Sequence, residues 1–271
     1  SNACLLIMSN NKTIQEKPLI LLLIGVLAVS SAAILIRLAL PHASPLAISF
    51  YRMLFSSIIA FVVYQITRSG QKVFLTKTQI LLLGLGGVSL ALHFVSWTWS
   101  LDMVSVSSSV IFVTTTPLWV GLLSPVIFKE KVPPKFYIGV GLAIIGGLLI
   151  ALLSNSKTDA NGPQSSILGL FLALVGAWMA SGYFIIGKKL TGTIPTELYV
   201  TIVYSVATIV LSVFMVIEQE ATLTVYQPSV YVLFLLMAII PQTLGHTSFN
   251  LALNTLTARI VSLALLFEPV G

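Results

Sequence analysis

Long apolar runs dominate the chain, each separated from the next by a few polar or charged residues. They lie near 18–40, 44–66, 79–101, 103–127, 136–154, 166–187, 195–217 and 229–253, and a ninth begins near Thr257. Crossing a hydrocarbon layer of about 30 Å takes roughly 20 apolar residues at 1.5 Å each, which these runs supply. In lipid every backbone N–H and C=O must be satisfied within the spanning structure, so only helices or a closed barrel are available. The runs lack the period-2 alternation of barrel strands, so each predicts a helix. The first run is too long for a signal-peptide core and has no small-residue cleavage pattern after it, so it counts as a span.

Composition sharpens this picture. Of 271 residues 57% are hydrophobic and only 8% charged, against about 25% charged in soluble domains, too few to build a water-facing shell. The net charge of +6 and pI near 9.5 resemble the footprint of a phosphate binder. The charges, however, sit in short loops without a basic stripe, which argues against nucleic acid as a partner and for the lipid bilayer as the environment. If the segments alternate across the membrane, Lys12, Lys17, Arg68, Lys72, Lys77, Lys129, Lys131, Lys135, Lys188, Lys189 and Arg259 share one side, and only Lys157 falls opposite. By the positive-inside rule this predicts a cytoplasmic N-terminus in a multi-pass protein, expected in a bacterial plasma membrane. The one cysteine, Cys4, offers neither a disulfide framework nor a metal or redox cluster.

An internal repeat is also present. Ser31 with Pro45 recurs as Ser181 with Pro195, and His93 with Pro117 recurs as His246 with Pro269, at offsets near 150 residues. Five helices per half is an odd number, so the second half would enter the membrane upside down, an inverted repeat about an axis in the membrane plane. The expected organisation is a tail over 1–17 that begins with a tag-like Ser1-Asn2-Ala3, a first repeat over 18–154, a polar linker over 155–165 and a second repeat over 166–271. The fold class expected is an all-α polytopic membrane protein of two five-helix inverted repeats, a ten-helix carrier fold with its last helix or so beyond Gly271.

Three stretches carry a family resemblance: "SPLAISFYRMLFSSIIAF", "SVSSSVIFVTTTPLWVGLLSPVIFKEKV" and "NTLTARIVSLALLFEPVG". In order, spacing and duplication the chain resembles the EamA-type family of the drug/metabolite transporter superfamily, from Leu19 onward. The resemblance implies a carrier with a central cavity, alternating access and a small-molecule substrate ranging from amino acids to other metabolites, commonly exported. One departure lies at the repeated proline, preceded by Thr116 in the first copy and by Glu268 in the second.

Polar residues inside the spans mark where chemistry would sit, because an ionisable group at the centre of a membrane helix costs about 2.5–3.5 kcal/mol. Gln242, His246 and Asn250 recur every four residues on one helical face, and Ser89, His93, Trp97 and Ser100 form a matching stripe on the third segment. His93 and His246 lie about 12 Å and 11 Å from opposite ends of their helices, which suggests one histidine in each of two gates, or else two interhelical hydrogen bonds. Arg52 is a candidate to hold a carboxylate through its planar guanidinium, or else a snorkelling or structurally paired cation. Glu268 is a mid-depth carboxylate that would serve as proton carrier, ammonium partner or kink residue. Pro117 and Pro269 are expected hinges, with Thr115 among the threonines beside the first. Glycines such as Gly84, Gly86, Gly87, Gly139, Gly141 and Gly146 read as helix-contact positions.

No phosphate-cradling glycine loop, zinc-binding HExxH pair or Gly-x-Ser-x-Gly elbow occurs, so no enzyme, metal or cofactor is indicated. The function expected is secondary transport of small organic metabolites through a cavity lined by segments two, three, four, eight and nine. The alternative from another class is a lipid-carrier flippase or a membrane-embedded enzyme acting on lipid head groups.

Overall fold

A computed structural model of the chain describes residues 18–68, 73–155, 166–219 and 225–269. The N-terminal tail with Cys4, Lys12 and Lys17, the linker residues 156–165 with Lys157, and Lys72 lie outside the described residues. Within them the chain is helical and forms no strand. We number the helices α1 (Pro18–Ala39), α2 (Pro45–Thr67), α3 (Lys77–Met103), α4 (Val106–Phe128), α5 (Pro134–Asn155), α6 (Ile167–Leu190), α7 (Thr196–Ile217), α8 (Pro228–Ala252) and α9 (Ala258–Phe267). Seven of them, α1 to α4 and α6 to α8, are long and apolar enough to cross a bilayer.

Short polar residues start the helices as capping chemistry requires, by accepting from otherwise unpaired N–H groups in the first turn. Ser44, Ser105, Ser166 and Thr257 each accept from the backbone N–H three residues on. At α3, Thr76 and Gln79 complete a reciprocal capping box.

Three spans are interrupted. α1 breaks at Ser30 and Ser31, whose hydroxyls donate to the carbonyls of Val26 (2.8 Å) and Ala28 (2.7 Å). α4 breaks at Thr114 and Thr115, just before Pro117, where the proline lacks the N–H that would continue the ladder. α8 widens into a π-helical stretch over Ala238–His246 around Pro241, the commonest kind of place for such a bulge being a site where function needs an altered register.

The helices of the two halves interleave: α3 lies on α6, α7 on α2 and α3, α1 on α8, and α9 on α4. Gly86 and Gly87 let α3 approach α7 closely, since a Cβ at Gly87 would come within 2.5 Å of Val206. The expectation that all the glycines serve contacts needs correction, because Gly84, Gly139, Gly141 and Gly146 face open space within 4 Å.

Side-chain distribution is inside out relative to a soluble protein. Leu23, Leu27, Val126, Ile138 and Val216 are exposed, while Arg52, Gln242, His93, His246 and Asn250 are buried. An apolar rind around a polar interior is stable only where the solvent is lipid.

Candidate functional site

The polar interior begins at Arg52 on α2, which is 1% exposed. Its Nε donates to Gln242 Oε1 on α8 at 3.1 Å, and its guanidinium carbon stands 4.0 Å from the centroid of the Phe94 ring on α3. That is cation–π distance. Both terminal nitrogens, Nη1 and Nη2, have no hydrogen-bond partner among the described residues. Arg52 therefore neither snorkels to an interface nor forms an ion pair with Glu268, although the two charges are close enough to act on one another.

Phe94 also touches the two histidines, whose ring centroids are 6.2 Å apart. His93 bonds the Gly176 carbonyl through Nδ1 at 2.9 Å. A carbonyl only accepts, so His93 donates through Nδ1–H. The ring also stacks on Trp97 at 5.9 Å. His246 meets Phe94, Tyr183 and Phe249 edge-on, and its Nδ1 has no partner among the described residues.

His93, Trp97, His246 and Glu268 line one pocket enclosing about 400 Å³ of empty space, closed by Val29 and Ala32 of α1, Val113, Thr114 and Thr116 of α4, Ala180 and Phe184 of α6, and Leu265 of α9. Polar groups from both halves of the chain thus reach one space. The two histidines, read from sequence as one in each of two gates, stand together with their rings 6.2 Å apart in one pocket. The expected lining is also revised, since α1 and α6 contribute and Arg52 on α2 sits against Phe94.

Asn250 stands apart from that pocket. Its amide donates to the Tyr183 hydroxyl, and it lines a second space with Tyr199 and Thr196. Thr115 serves the helix break: its hydroxyl donates to the Phe112 carbonyl at 2.7 Å and accepts from Trp119 Nε1 at 3.2 Å. Thr114 and Thr116 likewise donate to Ile111 (3.1 Å) and Val113 (2.8 Å). The carbonyls around the proline break are therefore satisfied locally. Pro269 is exposed at the end of the described residues.

Two side chains with no assigned role in the sequence prove central. Phe94 and Phe184 read from sequence as ordinary apolar residues, and only packing brings Phe94 against Arg52 and both histidines and sets Phe184 in the pocket wall. Trp178 packs against Trp119 and Phe171. Arg37 donates to the Leu101 carbonyl near the end of α3, which accounts for a cation inside a span.

The family model of the EamA-like transporters matches residues 16–152 and again 167–271. The chain belongs to the EamA-like transporter family. This EamA-like chain also superimposes on a solved crystal structure with a TM-score of 0.73 at 14% identity, covering 94% of this chain and 85% of that one. At that identity the likeness speaks for the fold. No curated protein matches the chain. The EamA-like protein is thus a multi-pass membrane protein whose interior polar cluster lies in a bundle built from both matched segments.

Proposed function

We propose that this EamA-like protein is a secondary transporter of small organic metabolites, exporting amino acids or related compounds by alternating access. Its two halves are read as five-helix repeats of opposite orientation, 18–154 and 166–271 joined by a linker, rocking about a shared pocket in a bacterial plasma membrane with the N-terminus cytoplasmic. The packing supports that reading, because α1 on α8 and α3 on α6 are the contacts that exchange if each half takes the other's place.

The observation that carries the proposal is the single pocket to which His93 and Trp97 bring polar groups from one half and His246 and Glu268 from the other. A pocket shared by two rigid halves changes shape whenever they rock, as a substrate site must. Glu268, a carboxylate in that pocket, suits a proton carrier in an exchange for substrate. Pro117, at the broken segment of α4, and Pro269 suit hinge positions.

One observation favours the lipid-directed alternative. An apolar groove of about 1160 Å³, with Leu22 and Val26 on α1 and Leu263 and Phe267 on α9, lies beside the pocket. Reconstitution in liposomes separates the two. Counterflow of labelled amino acids and metabolites, abolished in His93→Ala and His246→Ala, is the expected result. Lipid scrambling with no solute movement would transfer the assignment to the flippase, and undiminished flux in both variants would remove the pocket from the pathway.

A further inference from the structure

A census of orphan hydrogen-bonding atoms in the interior points to the ligand. Among the described residues Arg52 Nη1 and Nη2, Gln242 Nε2, Trp97 Nε1 and Trp178 Nε1 are buried without partners, as is the Ser124 hydroxyl on α4. The five nitrogens are donors with no acceptor capacity. His246 Nδ1 is also unpartnered and can take either role, while the one acceptor-only orphan near the centre, Asn250 Oδ1, belongs to the separate space with Tyr199. Leaving a buried donor unmet is costly, more so when it is charged, and a membrane offers no water to relieve it.

From these donors we propose that Arg52 and Gln242 form an oxyanion clamp and that the solute carried by this protein bears a single carboxylate, which this clamp holds. The proposal rests on the transport reading for its solute, but the clamp itself is a binding site and can be tested without transport. Its parts are preorganised. Gln242 Oε1 accepts from Arg52 Nε and thereby fixes the guanidinium plane, leaving the two terminal nitrogens and the Gln242 amide nitrogen to donate. Phe94 covers the guanidinium face at 4.0 Å, so an anion is directed to the edge, where the fork fits a carboxylate with two parallel bonds.

Charge selects among oxyanions. The titratable groups that interact electrostatically with Arg52 are Glu268, the Tyr204 hydroxyl, His93 and His246. Arg52 is the one fixed cation of the clamp, so it balances one negative charge. A doubly charged phosphate would leave a charge unpaired at a buried clamp whose neighbour is the Phe94 ring, which disfavours it.

The test uses the purified full chain in detergent, with melting temperature and tryptophan fluorescence as readouts, and matched probes: phenylalanine and its amide, phenylacetate and phenylacetamide, and inorganic phosphate. Wild-type protein is expected to bind the acids at least about tenfold more tightly than the amides, and phosphate more weakly than the acids. Gln242→Glu places a carboxylate against Arg52 from within. That variant should melt higher than wild type without ligand and lose the response to acids. Arg52→Gln should lose the same response, and if it fails to fold, Gln242→Glu decides.

Equal binding of acid and amide, absence of binding by both acids, tighter binding of phosphate, or an unchanged response to acids in Gln242→Glu would each overturn the clamp. Liposome counterflow is read separately. Acid binding that responds to Gln242→Glu, together with no solute flux, would leave the clamp standing and remove the transporter.

Discussion

At the scale of single residues, the interior shows how a membrane bundle handles polar groups it cannot expose. Many buried hydroxyls of the spans find a carbonyl nearby: Ser56 on Arg52, Ser181 on Ala177, Thr201 on Glu197. Longer side chains reach across helices instead, as Asn250 does to Tyr183 and Lys188 to the Leu253 carbonyl at 2.8 Å. Removing one member of such a pair is worse than removing both, because a lone buried amide keeps its desolvation cost. Tyr183→Phe is therefore expected to lower stability by about 1 kcal/mol. Adding Asn250→Leu to it should restore most of that loss, as read by denaturation in detergent, and an additive loss in the double variant would refute the coupling. His93, Trp97 and Arg52 were legible as candidates from their cost in lipid alone. Phe94 was not, since nothing about an apolar residue in an apolar span distinguishes a clamp wall from a lipid contact.

Among the helices, the sequence pattern anticipated most boundaries within a few residues, because length and hydropathy suffice to find spans and Ser or Thr caps mark their starts. It did not anticipate the interruptions at Ser30 and Ser31 or the π-helical stretch around Pro241. Those depend on where a freed carbonyl finds a partner, which is a matter of neighbours. Glycine illustrates the same limit. Gly84 and Gly87 look equivalent in sequence, yet Gly87 packs against Val206 on α7 and Gly84 meets nothing within 4 Å. Gly87→Ala should cost about 1–3 kcal/mol through overpacking, whereas Gly84→Ala should be neutral or slightly stabilising. Thermal melting of the two variants side by side checks this, and equal melting temperatures would refute the close α3–α7 contact.

For the whole molecule, contacts between the halves matter more than contacts within them. The Glu130–Arg259 ion pair, 2.9 Å, ties the loop after α4 to the start of α9. Lys188 on α6 and the end of α8 are joined close by. These residues belong to the basic side of the protein under alternating topology, so they should all face the cytoplasm. Single cysteines placed at Lys129, Lys189 and Arg259 should react with an impermeant thiol reagent only from the cytoplasmic side, and one at Glu218 only from the outer side. Labelling of Lys129→Cys and Lys189→Cys from opposite sides would defeat the inverted-repeat reading and the alternating-access mechanism with it.

The amino-acid order by itself determined that the chain must live in lipid, which stretches become helices, and that the two parts resemble one another. Those properties follow from local hydropathy, backbone hydrogen bonding and spacing, which need no knowledge of neighbours. Only the tertiary structure decided which polar groups share a space. His93 and His246 lie 153 positions apart, and a periodic pattern gives the face and depth of each residue but not the distance between two helices. The meeting of the two rings on one pocket, and the two unpartnered guanidinium nitrogens of Arg52 beside Phe94, arise from how α1, α2, α3 and α8 pack, where side-chain volume and helix breaks set the geometry.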